Sequence, residues 1–176
     1  MTTQFQAPDW SGLTVAILGN GPGMSHELAA SVRADRVIVC NRAVRFAPHA
    51  DLFVALDPEH HVALDFDGLR VVGVECDADA MYAGLLYERV VLGVGHVIEI
   101  RNNLLAAIRI AAATGAARIV LYGVDTAAYE SQHDFRGVTE GLAALVAELG
   151  ARGIVVIQMG GAGPVELDDP AGFLSA

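Results

Sequence analysis

The chain has 176 residues, 53% of them hydrophobic, and a formal charge of −10 at pH 7. This composition predicts one domain with enough apolar material for a single core, and the acidic balance excludes a general nucleic-acid or anionic-membrane surface, since both need a basic face. All 11 basic residues are arginines, which excludes a Walker-type phosphate loop and Schiff-base chemistry because both need a lysine.

Neither a membrane span nor a disulfide framework is expected. No apolar run approaches the roughly 18 residues that cross a bilayer, and the first residues lack the charged and apolar regions of a secretory signal. We therefore expect a cytoplasmic protein. Cys40 and Cys76 fall at the ends of two predicted strands without zinc-type spacing, so reduced, buried thiols are expected.

The first predicted strand covers residues 15 to 18, whose apolar side chains do not alternate with polar ones, as is typical of a strand buried on both faces. It leads into the loop Gly19-Asn20-Gly21-Pro22-Gly23, and residues 24 to 32 have helical spacing. Strand, glycine loop and helix form a unit that holds anions, because glycines admit a ligand to the backbone and N–H groups at the helix N-terminus point at it. A purely steric role for the glycines is the alternative. The loop is one residue short of the dinucleotide fingerprint, and Pro22 removes a donor, which disfavours NAD.

The later elements follow in alternation. Strands are predicted at residues 36–40, 52–56, 69–74, 89–92, 118–122 and 154–158, and helices at 79–86, 100–114 and 135–149. Residues 1–13 are interpreted as a lead-in and residues 160–176 as an irregular tail. The alternation predicts a single Rossmann-like α/β domain over residues 1–176, with a doubly wound, mostly parallel sheet of about six or seven strands and helices on both faces.

Compact polar residues follow four of these strands: Asn20, Asn41, Asp57 and Asp125. In an open parallel sheet the ligand lies outside the carboxyl ends of the strands, where the strand order switches. Each residue has an ordinary explanation in satisfying loop backbone groups. Their coincidence favours one rim that binds a sugar, a base or a metal-bound phosphate.

Two segments carry a resemblance to a known family. The first is Gly19-Asn20-Gly21-Pro22, followed by a strand that ends in Cys40-Asn41-Arg42. The second runs from Asn102 through Gly123-Val124-Asp125, with Tyr129 and His133 beyond it. Together they resemble the nucleotide-binding half shared by bacterial sialyltransferases that modify lipooligosaccharides and by the MptE-like family (DUF115), which includes archaeal 6-hydroxymethylpterin pyrophosphokinases.

This resemblance implies a nucleotide site. Asn20 and Asn41 would hold the phosphate and the sugar, Asp57 would stand at a third polar position, and Asn102 or Asn103 would lie near the phosphates. The full set of ligand-binding residues would be Gly19, Asn20, Gly21, Pro22, Gly23, Asn41, Arg42, Asp57, Asn102, Asn103 and Gly123. Gly23 stands where the family usually has serine. The chain is also shorter than those enzymes, and we expect no acceptor-binding lid domain in it, which leaves the acceptor and the transfer chemistry open.

The densest set of metal-ligand side chains is Asp57-x-Glu59-His60-His61. Adjacent histidines on a helix point about 100° apart, so an exposed acidic turn is preferred over a transition-metal site. A magnesium ion held by Asp57 or Asp125 together with a bound diphosphate is the more plausible metal.

His133 is the first candidate for a general acid or base, because imidazole titrates near neutrality and loops over the strand ends carry chemistry. A solvated loop histidine is the alternative. Asp125 is the second catalytic candidate, and His96 is a weaker one. Cys40 as a nucleophile lacks an identifiable base and is set aside. Three arginines could neutralise phosphate or form surface salt bridges: Arg42, Arg45 and Arg101.

The expected function is transfer from a nucleotide or nucleotide-sugar, either of a glycosyl group or of a diphosphoryl group. Both reactions would depend on positioning and on charge stabilisation of the phosphate leaving group. The alternative is a non-catalytic nucleotide binder or an assembly module, because a fold does not fix a function. In an assembly module, the apolar helix and the acidic tail would contact another subunit, such as a second copy of the chain.

Overall fold

The structure, a computed structural model, describes residues 7–55, 66, 68–72, 91–92, 96–97, 103–124, 136–160 and 163–166. The strands are β1 (Thr14–Leu18), β2 (Arg36–Cys40), β3 (Leu52–Ala55), β4 (Leu69–Val72), β5 (Val91–Leu92), β6 (His96–Val97), β7 (Arg118–Tyr122), β8 (Val155–Gly160) and β9 (Gly163–Glu166). The helices are α1 (His26–Ser31), a 3-10 helix (Asn41–Arg45), α2 (Asn103–Ala113) and α3 (Arg136–Ala151).

The main sheet has the strand order β4-β3-β2-β1-β7-β8-β9. Its five central strands, β3-β2-β1-β7-β8, are all parallel. β4 extends one edge in the parallel sense, and β9 closes the other edge in the antiparallel sense. The prediction of an α/β fold built on a mostly parallel sheet is confirmed.

Apolar clusters cover both faces of the sheet, as the unbroken apolar runs of the strands require. Successive side chains of β1 alternate between them: Val15 and Ile17 belong to one cluster, and Ala16 and Leu18 to the other. The first cluster contains the buried residues of α2 and those of α3 between Leu142 and Leu149. The second contains the 3-10 helix and the inner side of α1.

The alanine-rich helix α2 is buried along most of its length, because six of its eleven residues are inaccessible to solvent. It ends where the sequence predicts. Thr114 is buried and its Oγ1 donates to the carbonyl of Ala111 at 2.7 Å. Gly115 follows with φ +89°, a conformation that suits glycine at a helix end.

Two predicted segments differ from the structure. The strand predicted at residues 89–92 is present as β5, but it pairs with β6 in a separate antiparallel ladder. The tail predicted as irregular contains β9, which is a correction: β9 pairs with β8 in an antiparallel ladder that extends from Ile157 and Glu166 to Gly160 and Gly163. Pro164 is compatible with β9 because an edge strand needs fewer donors. The helix predicted at 79–86 lies outside the described residues.

Within the described part of the chain, no helix combines the length and the apolar character needed to cross a bilayer.

Candidate functional site

The strand order reverses between β1 and β7. From β1 the chain builds outward through β2, β3 and β4, and it later returns to add β7 on the other side of β1. Leu18 at the end of β1 pairs with Tyr122 at the end of β7. The loop of residues 19–24 and residues 123–124 therefore flank the switch point at the carboxyl edge, the place where ligands bind in sheets of this kind.

The loop after β1 is fixed to the end of β7 by backbone hydrogen bonds. The N–H of Gly19 donates to the carbonyl of Tyr122, and the N–H of Gly21 donates to the carbonyl of Gly123, both at 2.8 Å. A Cβ on Gly19 would lie only 2.7 Å from the Gly123 oxygen. Gly19 is thus required by the packing of one loop on the other, which is the steric role considered above.

The inner side of Gly123 is covered by Met24. Gly123 has φ +59°, and a Cβ placed on it would lie 2.8 Å from Cε and 2.9 Å from Cβ of the Met24 side chain. The residue after it, Val124, accepts a hydrogen bond of 2.9 Å from Nε2 of Gln158 in β8. The predicted ligand-binding role of Gly123 is therefore not needed to explain this glycine, since Met24 fills the space beside it.

The outer part of the same loop is open. The half-buried Asn20 and the exposed Gly23 take part in no hydrogen bond with the residues that the structure describes. A Cβ on Gly23 would meet nothing within 4 Å. Backbone N–H groups and the Asn20 amide are thus available at the rim, beside the exposed Pro22.

The helix that follows the loop is shorter than predicted. It has six residues, His26–Ser31, instead of the span 24–32, and Ser25 caps it by accepting a hydrogen bond of 3.1 Å from the Leu28 N–H. Because a helix dipole grows with aligned peptides, this short helix adds little to anion binding. The loop amides are the stronger donors here.

Asn41, at the end of β2, combines two unfavourable features. Its φ of +49° makes it the one non-glycine residue with positive φ in the described part of the chain. Its Oδ1 is buried and has no hydrogen-bond partner there. An unpaired buried acceptor costs about 1–3 kcal/mol, and a left-handed backbone adds strain even though asparagine tolerates it better than most residues.

The end of β2 lies against the start of α2. The thiol of Cys40 donates to the carbonyl of Asn103 at 3.7 Å. This contact brings the predicted residues Asn41 and Asn103 to the same end of the sheet. Burial raises the pKa of the Cys40 thiol to about 12, so the thiol is neutral near pH 7 and unsuited to be a nucleophile.

An aromatic and basic cluster follows Asn41, and it is not predicted as a whole from the sequence. The Arg45 guanidinium lies 4.7 Å from the Phe46 ring centroid. The His26 and Phe46 rings pack in a T-shaped arrangement with their centroids 4.9 Å apart. Arg42 and Arg45 are exposed and have no carboxylate partner in the part of the chain that the structure describes. The available sequence signal was the three-residue spacing of the two arginines.

Other predicted site residues lie outside the described residues: Asp57, Glu59, His60, His61, Cys76, Arg101, Asn102, Asp125, Tyr129 and His133. His96 belongs to β6 in the small ladder. Residues 7–55, 103–124 and the other described ranges contain no group of three or more His, Cys, Asp or Glu side chains that could hold a metal ion.

No protein-family model gives a match to the chain, and no curated protein or solved structure matches it either. The resemblance to the MptE-like and sialyltransferase families stays a prediction.

Proposed function

We propose that the chain binds a nucleotide or nucleotide-sugar at the carboxyl edge of a Rossmann-like, doubly wound sheet and transfers a glycosyl or diphosphoryl group from it. The observation that supports this most is the buried Oδ1 of Asn41, which has no hydrogen-bond partner among the described residues. Strain and unsatisfied polar atoms persist in proteins where another role compensates for them. A ligand that donates a hydrogen bond to Asn41 supplies such a role.

The chemistry of Asn41 indicates which part of the ligand it contacts. An amide oxygen accepts a hydrogen bond, so it fits a sugar hydroxyl and not a phosphate oxygen, which is itself an acceptor. Asn41 follows Gly21 by 20 positions and stands at the end of the second strand. Dinucleotide-binding folds place their ribose-binding carboxylate at this position, about 20 residues after the glycine loop. Asn41 is therefore assigned to the ribose.

The open part of the β1 loop is assigned to the 5′-phosphates. The Asn20 side chain and the N–H groups of Asn20 and Gly23 are the donors there. Transfer would depend on holding the donor phosphates while the leaving group develops charge. His133 and Asp125 are the proposed acid–base and magnesium-binding residues.

The binding step is tested by the thermal unfolding of the chain with CMP, CMP-sialic acid, ATP and pterins, each with and without magnesium. A ligand at 100 times its Kd stabilises the folded state by about 2.7 kcal/mol, which is about 5–11 °C for a chain of this length. Asn41→Asp keeps an acceptor and should retain the shift, whereas Asn41→Gly should lose it. Equal retention by both variants would remove Asn41 from the site, and no shift with any ligand would overturn the proposal.

The transfer step is tested separately. His133→Ala should abolish turnover while the thermal shift with nucleotide persists. A wild-type chain that binds nucleotide but transfers nothing to any acceptor would favour the non-catalytic nucleotide binder.

A further inference from the structure

Two arginines lie directly beside the proposed ribose contact. Arg42 and Arg45 belong to the 3-10 helix Asn41–Arg45, which begins at the end of β2. A 3-10 helix has three residues per turn, so side chains three positions apart lie on the same side of it. The two guanidinium groups thus extend from one side of a short, fixed element.

Among the residues that the structure describes, Arg42 and Arg45 differ from some other arginines in having no carboxylate partner. Elsewhere, Arg36 lies 3.7 Å from Asp51, and Arg109 and Arg152 each lie 3.6 Å from Glu148. Neither of the two arginines of the 3-10 helix has such a pair within the described ranges. No described residue occupies their donors, which suits them to an anion from outside the chain.

Arg45 also has a contact that does not require its hydrogen-bond donors. Its guanidinium lies 4.7 Å from the Phe46 ring centroid, and the His26 ring packs against the same ring at an interplanar angle of 73°. A cation–π contact engages the flat face of a guanidinium and leaves its N–H groups in the plane free. The arrangement orients a donor fork at low entropic cost.

We propose that Arg42 and Arg45 bind a phosphoryl group carried on the ribose of the bound nucleotide. This group is attached to the 2′- or 3′-oxygen, next to the ribose hydroxyl that donates a hydrogen bond to Asn41. The substrate class is then a nucleotide with a second, ribose-linked phosphate. This inference rests on the proposed nucleotide site. Phosphate oxygens only accept hydrogen bonds and guanidinium groups only donate them, so the two are complementary. An arginine near this strand end is also how dinucleotide folds accommodate a ribose 2′-phosphate.

The test is isothermal titration calorimetry with two matched series: 5′-AMP, adenosine 2′,5′-bisphosphate and adenosine 3′,5′-bisphosphate, and the corresponding cytidine compounds. One of the bisphosphates should bind at least tenfold more tightly than the 5′-monophosphate of the same base. The preference should shrink between 50 and 300 mM salt, since salt screens exposed charges.

Substitutions separate a local contact from a general charge effect. The ratio of the bisphosphate affinity to the monophosphate affinity should fall to about one in Arg42→Gln/Arg45→Gln. Arg118→Gln is the matched control, because Arg118 is exposed and has no ion pair in the described part of the chain. It also begins β7, so it lies at the amino ends of the parallel strands, away from the proposed site. It should keep the ratio of the wild type. All three positions are exposed, so folding is not at risk.

Each outcome has a separate meaning. If no nucleotide binds, the proposed nucleotide site fails. If monophosphates and bisphosphates bind equally well, or if Arg118→Gln lowers the ratio as much as the double variant, the ribose-phosphate inference is overturned while the nucleotide site stands. An equal loss for all ligands in the double variant would assign the arginines to the 5′-phosphate and would also overturn it.

Discussion

Replacing Asn41 by glycine should stabilise the ligand-free protein while it abolishes nucleotide binding. The substitution removes the buried Oδ1 that has no partner in the described part of the chain, and it places glycine at a φ of +49°. Glycine adopts positive φ without steric conflict. A binding residue that is unfavourable in the empty protein should show this opposite response of stability and affinity.

The size of the effect follows from three contributions. The unpaired acceptor costs about 1–3 kcal/mol, and relief of the left-handed backbone adds up to about 1 kcal/mol. The greater freedom of glycine in the unfolded chain opposes these gains by about 0.5–1 kcal/mol. The central values of these contributions give a net gain of about 2 kcal/mol, which raises Tm by about 4–8 °C in a chain of this length.

The assay is thermal unfolding by circular dichroism with and without a nucleotide that binds the wild-type chain. Without ligand the Asn41→Gly variant should melt above the wild type, and with saturating ligand it should melt below it. Asn20→Gly is the matched control, because Asn20 lacks positive φ and has no fully buried unpaired atom. It should lower Tm without ligand. A fall in Tm of the same size for Asn41→Gly would refute the reasoning.

Two further predictions concern packing and burial. Gly19→Ala should lower the free energy of unfolding in urea by about 1–3 kcal/mol, because its Cβ would lie 2.7 Å from the Gly123 oxygen. Gly23→Ala should change it by less than about 0.5 kcal/mol, because its Cβ would meet nothing within 4 Å. Equal losses would contradict the contact between the two loops. Burial raises the pKa of the Cys40 thiol from 9.0 to about 12 in the folded chain. The stability that the neutral thiol contributes is therefore complete below pH 9 and is lost as the pH rises toward 12; the Cys76→Ser background leaves Cys40 as the only thiol. Urea unfolding between pH 8 and 10.5 should therefore show a fall of up to about 1.4 kcal/mol per pH unit that Cys40→Ala abolishes, and the same slope in both variants would disprove it.

The sequence predicts the centre of the fold well because the central strands are short apolar runs between turn residues. The strands at 36–40 and 118–122 have the predicted bounds, and Gly115 ends α2 as predicted. The edge strand β9 was missed because it has no apolar periodicity and depends on pairing with β8. The strand at 91–92 was recognised, but its partner was not, since pairing is not encoded in local pattern.

The candidate site was predictable in outline and not in its details. That Asn20 and Asn41 follow adjacent strands can be read from strand ends and the topology of parallel sheets. That Oδ1 of Asn41 has no partner among the described residues cannot be predicted from the sequence, because it depends on which groups other elements place around it. The contact of Met24 with Gly123 likewise joins residues far apart in the chain, through the β1–β7 pairing.

The backbone bonds between the two loops bear on how a ligand would arrive. With the Gly19 and Gly21 amides both bonded across to the end of β7, the floor of the rim is already assembled before any ligand is present. A preorganised surface spares an incoming molecule the entropy of ordering a loop. Association with this surface should then be a single fast step, and the Gly21 amide should exchange with solvent more slowly than the open amides of Asn20 and Gly23.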